Sequence, residues 1–296
     1  VQFADVDSET GLLTPETLEA AIAAAAGRAK AVFPVHLNGQ RCDMAEIAAV
    51  AARHGLVVVE DACHVLGGVG VGACTHSIMS AFSLHPVKAI AAGEGGVITT
   101  NDPALAERIA RLRNHGIVRE PDRFVSPGEA FDNLGNLNPW YYEMPELGFN
   151  YRLSDIHAAL ALSQLAKLDQ FIARRRALAA RYDAGLAALN PLIRPIGHMP
   201  GQEPAWHIYV VLIDFKKTGK SRAAVMNSLR TQDIGTQVHY LPVHRQPYYR
   251  TRYGALHLPG ADSYYARALS LPLFPSMHDA DVDRVIEALR TACPTP

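Results

Sequence analysis

The stretch Val57-Val58-Val59-Glu60-Asp61-Ala62-Cys63-His64 ends an apolar run in an acid, with a histidine three residues further on. In open α/β sheets, ligands sit at the carboxyl ends of the strands. An aspartate there stays ionised only if something cationic meets it. A protonated pyridine nitrogen would serve; a helix-capping Asp after a strand is the plainer alternative. A second stretch, Phe82-Ser83-Leu84-His85-Pro86-Val87-Lys88, runs into Gly93-Glu94-Gly95-Gly96. It sets a lysine between a strand and a glycine-rich turn, with a serine shortly before it. A lysine amine becomes nucleophilic when burial or a neighbouring charge disfavours its ammonium form. Such an amine can form a Schiff base with an aldehyde cofactor, and the serine hydroxyl can hold a phosphate oxygen. Alone, Lys88 reads as an exposed loop lysine. With Asp61 and His64 it completes, in chain order, three parts of one pyridoxal phosphate site. The chain has few other lysines to offer (Lys30, Lys167, Lys216, Lys217 and Lys220).

The elements that must position these residues follow from pattern. Residues 1–6 read as a short strand. Residues 14–26 read as a helix with Thr14 as N-cap and Pro15 at its first position. Strands are expected over 31–37, 56–60, 78–83 and 96–100, and helices over 44–54 and 103–113, the latter behind Asp102 as cap. The β-branched run at 56–60 predicts a strand buried on both faces. Strands alternating with helices predict a mostly parallel sheet with crossovers. Residues 119–142, rich in Pro, Gly, Asn and aromatics, read as a long ordered loop, and such loops are usually functional or disordered. Ser154 opens a long helix to about 189, stopped by Asn190-Pro191. Beyond it come a strand (208–215), a helix (222–230), a strand (236–241) and a terminal helix (282–291). The fold class is therefore α/β, with a large cofactor-binding domain over 1–165. The long linking helix and a smaller C-terminal α+β domain occupy 166–296.

Whole-chain properties narrow the function classes. The 296 residues carry a net charge of −1, against a broad nucleic-acid or membrane-surface footprint. A hydrophobic share of 49% with 19% charged residues excludes a wholly disordered chain. No apolar run is long enough to span a bilayer. Cys42, Cys63, Cys74 and Cys293 are scattered and no signal peptide is read, so a reduced, cytoplasmic compartment is expected. The Cys/His residues Cys63, His64, Cys74 and His76 lack the spacing of a common zinc motif, so no metal site is expected. Gly67–Gly72 brushes against a dinucleotide signature but lacks the following helix and downstream acid.

The motifs Pro34-Val35-His36-Leu37-Asn38-Gly39-Gln40, Glu60-Asp61-Ala62, Phe82 to Lys88 with Gly93 to Gly96, and Leu147-Gly148-Phe149-Asn150-Tyr151-Arg152-Leu153-Ser154-Asp155 resemble the DegT/StrS-type sugar-nucleotide aminotransferases. The resemblance runs from Phe3-Ala4-Asp5-Val6-Asp7 to Leu271-Pro272-Leu273-Phe274-Pro275 and implies the aspartate aminotransferase-like fold of pyridoxal-phosphate transferases. Within the family, Asn138 to Met144 and Val238 to His244 with Pro247-Tyr248-Tyr249 resemble the pseudaminic-acid-pathway branch. That branch implies transfer of an amino group from glutamate to C4 of a UDP-linked 4-keto-6-deoxy-N-acetylhexosamine. The resemblance assigns Lys88 as the residue that holds the cofactor covalently and moves the proton. It assigns Asp61 to the pyridinium nitrogen, His64 to support of Asp61 or the ring hydroxyl, and Ser83 to the phosphate. Asn150 matches a residue that reaches the phosphate from the neighbouring subunit, which implies a homodimer with shared sites. Glu94, Tyr151, Arg152, His239, Tyr240 and His244 are candidate substrate contacts, each with a packing or bracing role as the alternative.

Two departures stand out. The family has a further βα segment ahead of the region that begins at Val1, with a phosphate-binding turn and the group that stacks on the pyridine ring. A chain without it is expected to bind cofactor weakly, to have little activity, and to leave apolar faces uncovered; an inactive homologue that only dimerises is the alternative reading. Ala91-Ala92 stand where the family commonly has threonines. Some relatives replace the lysine with histidine and act as dehydratases; Lys88 argues against that chemistry.

Overall fold

The computed structural model describes residues 1–294. Strands β1 (Ala31–Val32), β2 (Val57–Asp61), β3 (Met79–Ser83) and β4 (Gly96–Thr99) form one sheet in that order. The first three run parallel and β4 is antiparallel to β3. α1 (Pro15–Ala25) precedes β1, α2 (Met44–Arg53) crosses from β1 to β2, and α3 (Pro103–Leu112) follows β4. A second, antiparallel sheet orders β5 (Ile193–Pro195), β6 (Tyr209–Ile213) and β7 (Ala268–Leu271). The remaining helices are α4 (Asp155–Leu165), α5 (Leu168–Leu186), α6 (Arg222–Arg230), α7 (Pro247–Tyr253), α8 (Pro259–Arg267) and α9 (Asp279–Ala292). The fold is thus α/β with a mostly parallel first sheet.

The helix starts form for the reasons their sequences give. Thr14 and Thr17 close a capping box on α1, with Pro15 just inside. Asp102 accepts from the amides of Ala104 and Leu105 to open α3. Three cores result. One joins α1, α2 and the start of the first sheet through Leu12, Leu18, Val32, Ile47, Val50 and Val58. A second lies beneath the loop after β3, where Ala62, Phe82, Leu84 and Ile90 meet Leu168 and Ile172 of α5. The third packs β6 and β7 against α9 and the rest of α5, from Leu178 onward. The helix α5 therefore carries residues of two cores.

Several expectations need correction. Residues 1–6 form no strand; there Asp5 accepts from the amides of Gly260 and Ala261 and caps α8. β1 is two residues long because Pro34 has no amide to donate, and beyond it pairing survives only as the bridge Val35–Asp61. β2 is not buried on both faces: Val58 and Glu60 are buried, whereas Val57 is 40% exposed. The long helix breaks at Ala166-Lys167 into α4 and α5. Residues 236–241 make a single bridge, Gln237–Ser270, in place of a strand. The loop over 119–142 is ordered around one buried carboxylate. Glu143 accepts from the amides of Val125 and Ser126 and from the hydroxyl of Tyr141. Among the described residues, no helix is long and apolar enough to cross a membrane.

Candidate active site

The end of β2 presents two acids to opposite faces, as strand alternation requires. Glu60 turns inward. It accepts from His36 Nε2 at 2.8 Å, Ser77 Oγ at 2.5 Å and Ser80 Oγ at 3.0 Å. His36 Nδ1 accepts from the Cys42 amide at 3.2 Å, which leaves Nε2 as its donor. Burial pushes the Glu60 carboxyl up, but His36 and the two serines outweigh it and hold it below the usual range. Asp61 turns the other way. Its backbone is fixed by bonds to Pro34 and His36 of the neighbouring strand segment, and its Oδ1 accepts from the Cys63 amide at 3.1 Å.

Lys88 stands in the connection from β3 to β4, where its amide closes a turn onto the carbonyl of His85. Burial depresses the affinity of its amine for a proton, and Cys63 and Asp61 pull partly the other way. The Cys63 thiol is itself pushed up to about 12, by burial first and then by Asp61, so it is no thiolate nucleophile at neutral pH. The Lys88 charge also reaches His64, His207 and His239 and disfavours protonation of each. Asp61, Cys63, His64, Lys88, His207 and His239 therefore form one electrostatic cluster.

Within it His64 is buried, and burial brings it down to about 4, with Asp61 opposing. Its ring lies 4.5 Å from that of His207, and its Nε2 is 3.4 Å from the Tyr240 hydroxyl. Its Nδ1 is sealed from solvent with no partner among the described residues. His239 meets Ser270 Oγ through Nδ1 at 2.7 Å, and burial lowers its basicity. The Tyr240 hydroxyl is pushed up by burial and by Asp61.

The other expected residues fall into two groups. Ser83 ends β3 beside the cluster, and its Oγ accepts from the His85 amide at 3.3 Å. Glu94 is largely exposed and 3.9 Å from His85 Nε2, a bracing contact at the glycine turn. The segment carrying Asn150, Tyr151 and Arg152 lies along that turn. A Cβ on Gly95 would sit 2.6 Å from Leu153 Cδ1, and one on Gly93 3.0 Å from the His157 ring. Asn150 bridges to Asn114, Tyr151 stacks on Phe149, and Arg152 donates to Asn114 Oδ1 at 2.8 Å. None of the three has a hydrogen bond to its own chain's Lys88 cluster among the described residues. His244 also stands apart: it is buried with its Nε2 3.5 Å from Asp262 Oδ1 and its ring near Phe3.

Sequence reasoning missed His207. It sits in Trp206-His207-Ile208 just before β6, a lone histidine among apolar residues, with no spacing to mark it. The His36–Glu60 pair was visible only as part of longer motifs. A cleft of about 760 Å³ approaches Lys88 from the α5 side, lined also by Ala91, Gln164, Phe171, Arg174 and Pro275. Asp61 and His64 are not among the residues that line it.

The cluster fits pyridoxal phosphate on its own donor set. It offers an amine that burial keeps prone to lose its proton, a carboxylate with one oxygen uncommitted, and a neutral imidazole whose Nδ1 lacks a partner. A serine hydroxyl beside it is free to donate.

Comparisons with known proteins agree with that set. The DegT/DnrJ/EryC1/StrS aminotransferase family matches residues 1–290. The spore coat polysaccharide biosynthesis protein SpsC of Bacillus subtilis (strain 168) is 42% identical over 300 aligned residues, covering 97% of this chain and 72% of that protein. The structure of Helicobacter pylori PseC, an aminotransferase of pseudaminic acid biosynthesis, superposes with a TM-score of 0.86 at 25% identity, over 98% of this chain and 73% of that one. That of S. venezuelae DesV in complex with a ketimine intermediate superposes with a TM-score of 0.80 at 33% identity, over 98% and 71%.

Proposed function

The chain belongs to the DegT/DnrJ/EryC1/StrS aminotransferase family, and from that premise we propose that it moves an amino group from glutamate to C4 of a nucleotide-linked sugar. The acceptor is a UDP-linked 4-keto-6-deoxy-N-acetylhexosamine destined for a surface glycan. Pyridoxal phosphate is the cofactor of these aminotransferases and of this one; when bound, it supplies an electron sink for the carbon that loses a proton. The likeness to PseC and SpsC supports the sugar class, and the 4-keto position and glutamate rest on the pseudaminic-branch motifs.

One observation carries the reading: Lys88, Asp61 and His64, apart in sequence, share one cluster in which burial disfavours the Lys88 ammonium. Lys88 holds the cofactor and shuttles the proton at Nζ. Asp61 keeps its carboxylate on the ring nitrogen, and His64 supports the ring through its unpartnered Nδ1. Ser83 takes the phosphate. His239 and Tyr240 border the cluster from the second sheet and contact the sugar, while Tyr151, Arg152 and Glu94 meet substrate at the glycine turn. His244 has the weakest support, given its place beside Asp262.

Asn150 serves the partner's phosphate in a homodimer. The support is that it makes no hydrogen bond to its own chain's cluster among the described residues, together with the exposed apolar side chains of α4 nearby, Ile156 and Leu162. We further read 1–165 as the large domain and 166–296 as linking helix and small domain. Four free cysteines accord with a reduced cytoplasm.

The test is an absorbance spectrum of the purified chain with pyridoxal phosphate, before and after borohydride, with peptide mass mapping. The expected result is a visible band that borohydride fixes as an adduct on the Lys88 peptide, followed by amination of the 4-keto sugar with glutamate. An adduct elsewhere, or no band at saturating cofactor, overturns the site. A band without turnover on this sugar overturns the substrate alone.

A further inference from the structure

The cluster contains a residue with no role in the reading above. His207 lies just ahead of β6, and its ring packs against His64 with centroids 4.5 Å apart and planes tilted by 60°. Both histidines are more than nine-tenths buried, and each has an Nδ1 sealed from solvent without a partner among the described residues. Behind His207 stands Arg175 of α5. It is buried and has no carboxylate partner among the described residues. Its Nη1 donates to the His207 carbonyl at 2.7 Å and to the Leu273 carbonyl at 2.9 Å. A line of contact therefore runs from α5 through Arg175 and His207 to His64 and on to the Tyr240 hydroxyl.

We propose that His207 is a positioning residue for His64, its ring backing the His64 imidazole so that it stays neutral and in one orientation toward the cofactor. This rests on the cofactor reading of the site. Two features make it physical. A ring sealed behind His64 removes the water that would solvate an imidazolium. A backbone pinned by a buried guanidinium gives that ring one place to stand. The charged and titratable groups facing the pair are Lys88, Asp61, His239, Tyr240 and Arg175; Lys88 and His239 oppose a proton on either ring, and Arg175 opposes one on His207. Asp61 alone of these favours the proton on His64.

The test is an imidazole ¹⁵N titration of the cofactor-free chain labelled at histidine, from pH 7.5 to 4.5, in the native protein and in His207→Phe and His207→Asn. In the native protein His64 is expected to remain neutral throughout most of that range, in one tautomer. The aromatic His207→Phe preserves this. His207→Asn removes the ring, lets His64 titrate at least one pH unit higher, and weakens pyridoxal phosphate binding by about tenfold. A merely structural role predicts lost thermal stability in His207→Asn with the His64 titration unmoved, and that result overturns the proposal. So does a native His64 that titrates at the ordinary histidine pH, which needs no variant at all. Borohydride labelling of Lys88 is read in the same samples. Its failure in the native protein strikes the cofactor reading, whereas the titration strikes the positioning role alone.

Discussion

At the scale of the residue, Lys88 is governed by two opposed effects. Burial disfavours its ammonium, and the nearby Cys63 and Asp61 restore part of it. Asp61→Asn removes one restoring charge, so the amine should lose its proton more readily and capture pyridoxal phosphate at lower pH. The yield of borohydride-fixed adduct against pH measures this, and a midpoint equal to the native one would show that the Asp61 charge does not reach Lys88. The same variant should lose turnover by about 100-fold or more, because the ring nitrogen loses its partner and proton transfer slows. Lys88→Ala is expected to abolish the adduct and the turnover while leaving the thermal midpoint near the native value. Normal turnover in Lys88→Ala would remove the mechanism.

At the scale of the element, the site depends on a close approach that only glycine allows. A Cβ on Gly148 would lie 2.1 Å from the Gly116 amide nitrogen and 2.5 Å from the His115 carbonyl carbon. Gly148→Ala must therefore push the Phe149–Arg152 segment off the end of α3. The expected loss is about 1–3 kcal/mol, with faster amide exchange at His115, whose N–H is bonded to the Phe149 carbonyl. Protection at His115 equal to native would show that the segment adapts without moving. These motifs were legible because they are local. An acid closing an apolar run, a lysine before a glycine turn and a Thr-Pro helix start each announce themselves over a few residues. What was not legible is tertiary. Nothing in Ala166-Lys167 disfavours a helix, yet α4 and α5 part there. Residues 57–59 are three valines in a row, yet β2 leaves Val57 exposed. His207 became visible only when β6 carried it against His64.

At the scale of the whole molecule, apolar side chains remain at the surface around the Asn150 segment. Ile156 and Leu162 of α4 are 81% and 70% exposed, with Leu147 close by in sequence at 85%. Apolar patches of this kind mark interfaces, and Asn150 can serve a shared site only across one. Sedimentation should find the native chain dimeric and Ile156→Lys with Leu162→Lys monomeric, with cofactor affinity falling in the monomer. A native monomer that retains the cofactor tightly would sever Asn150 from the phosphate.

The buried histidines also set how the folded molecule responds to acid. His64 and His207 are lowered in the fold, to about 4 and about 2, both chiefly by burial. Unfolded, each would take a proton near 6.5. Between these limits the unfolded chain binds more protons than the native one, so stability is full above pH 6.5 and falls as pH drops toward 4. The slope is at most about 1.4 kcal/mol per pH unit for each histidine. Glu60 acts in a lower window, since its depressed carboxyl contributes stability above pH 4.5 that is lost as pH falls through its folded value. Urea midpoints at pH 7 and pH 5 isolate the histidines from the acid. The midpoint should fall markedly over that interval, and less steeply in His64→Gln, which has one proton fewer to gain. Equal midpoints at the two pH values would mean that both rings take up protons in the fold over the same range as in the unfolded chain, and so are protonated at pH 5. The cluster around Lys88 would then hold two more cations than the uncommitted oxygen of Asp61 can balance.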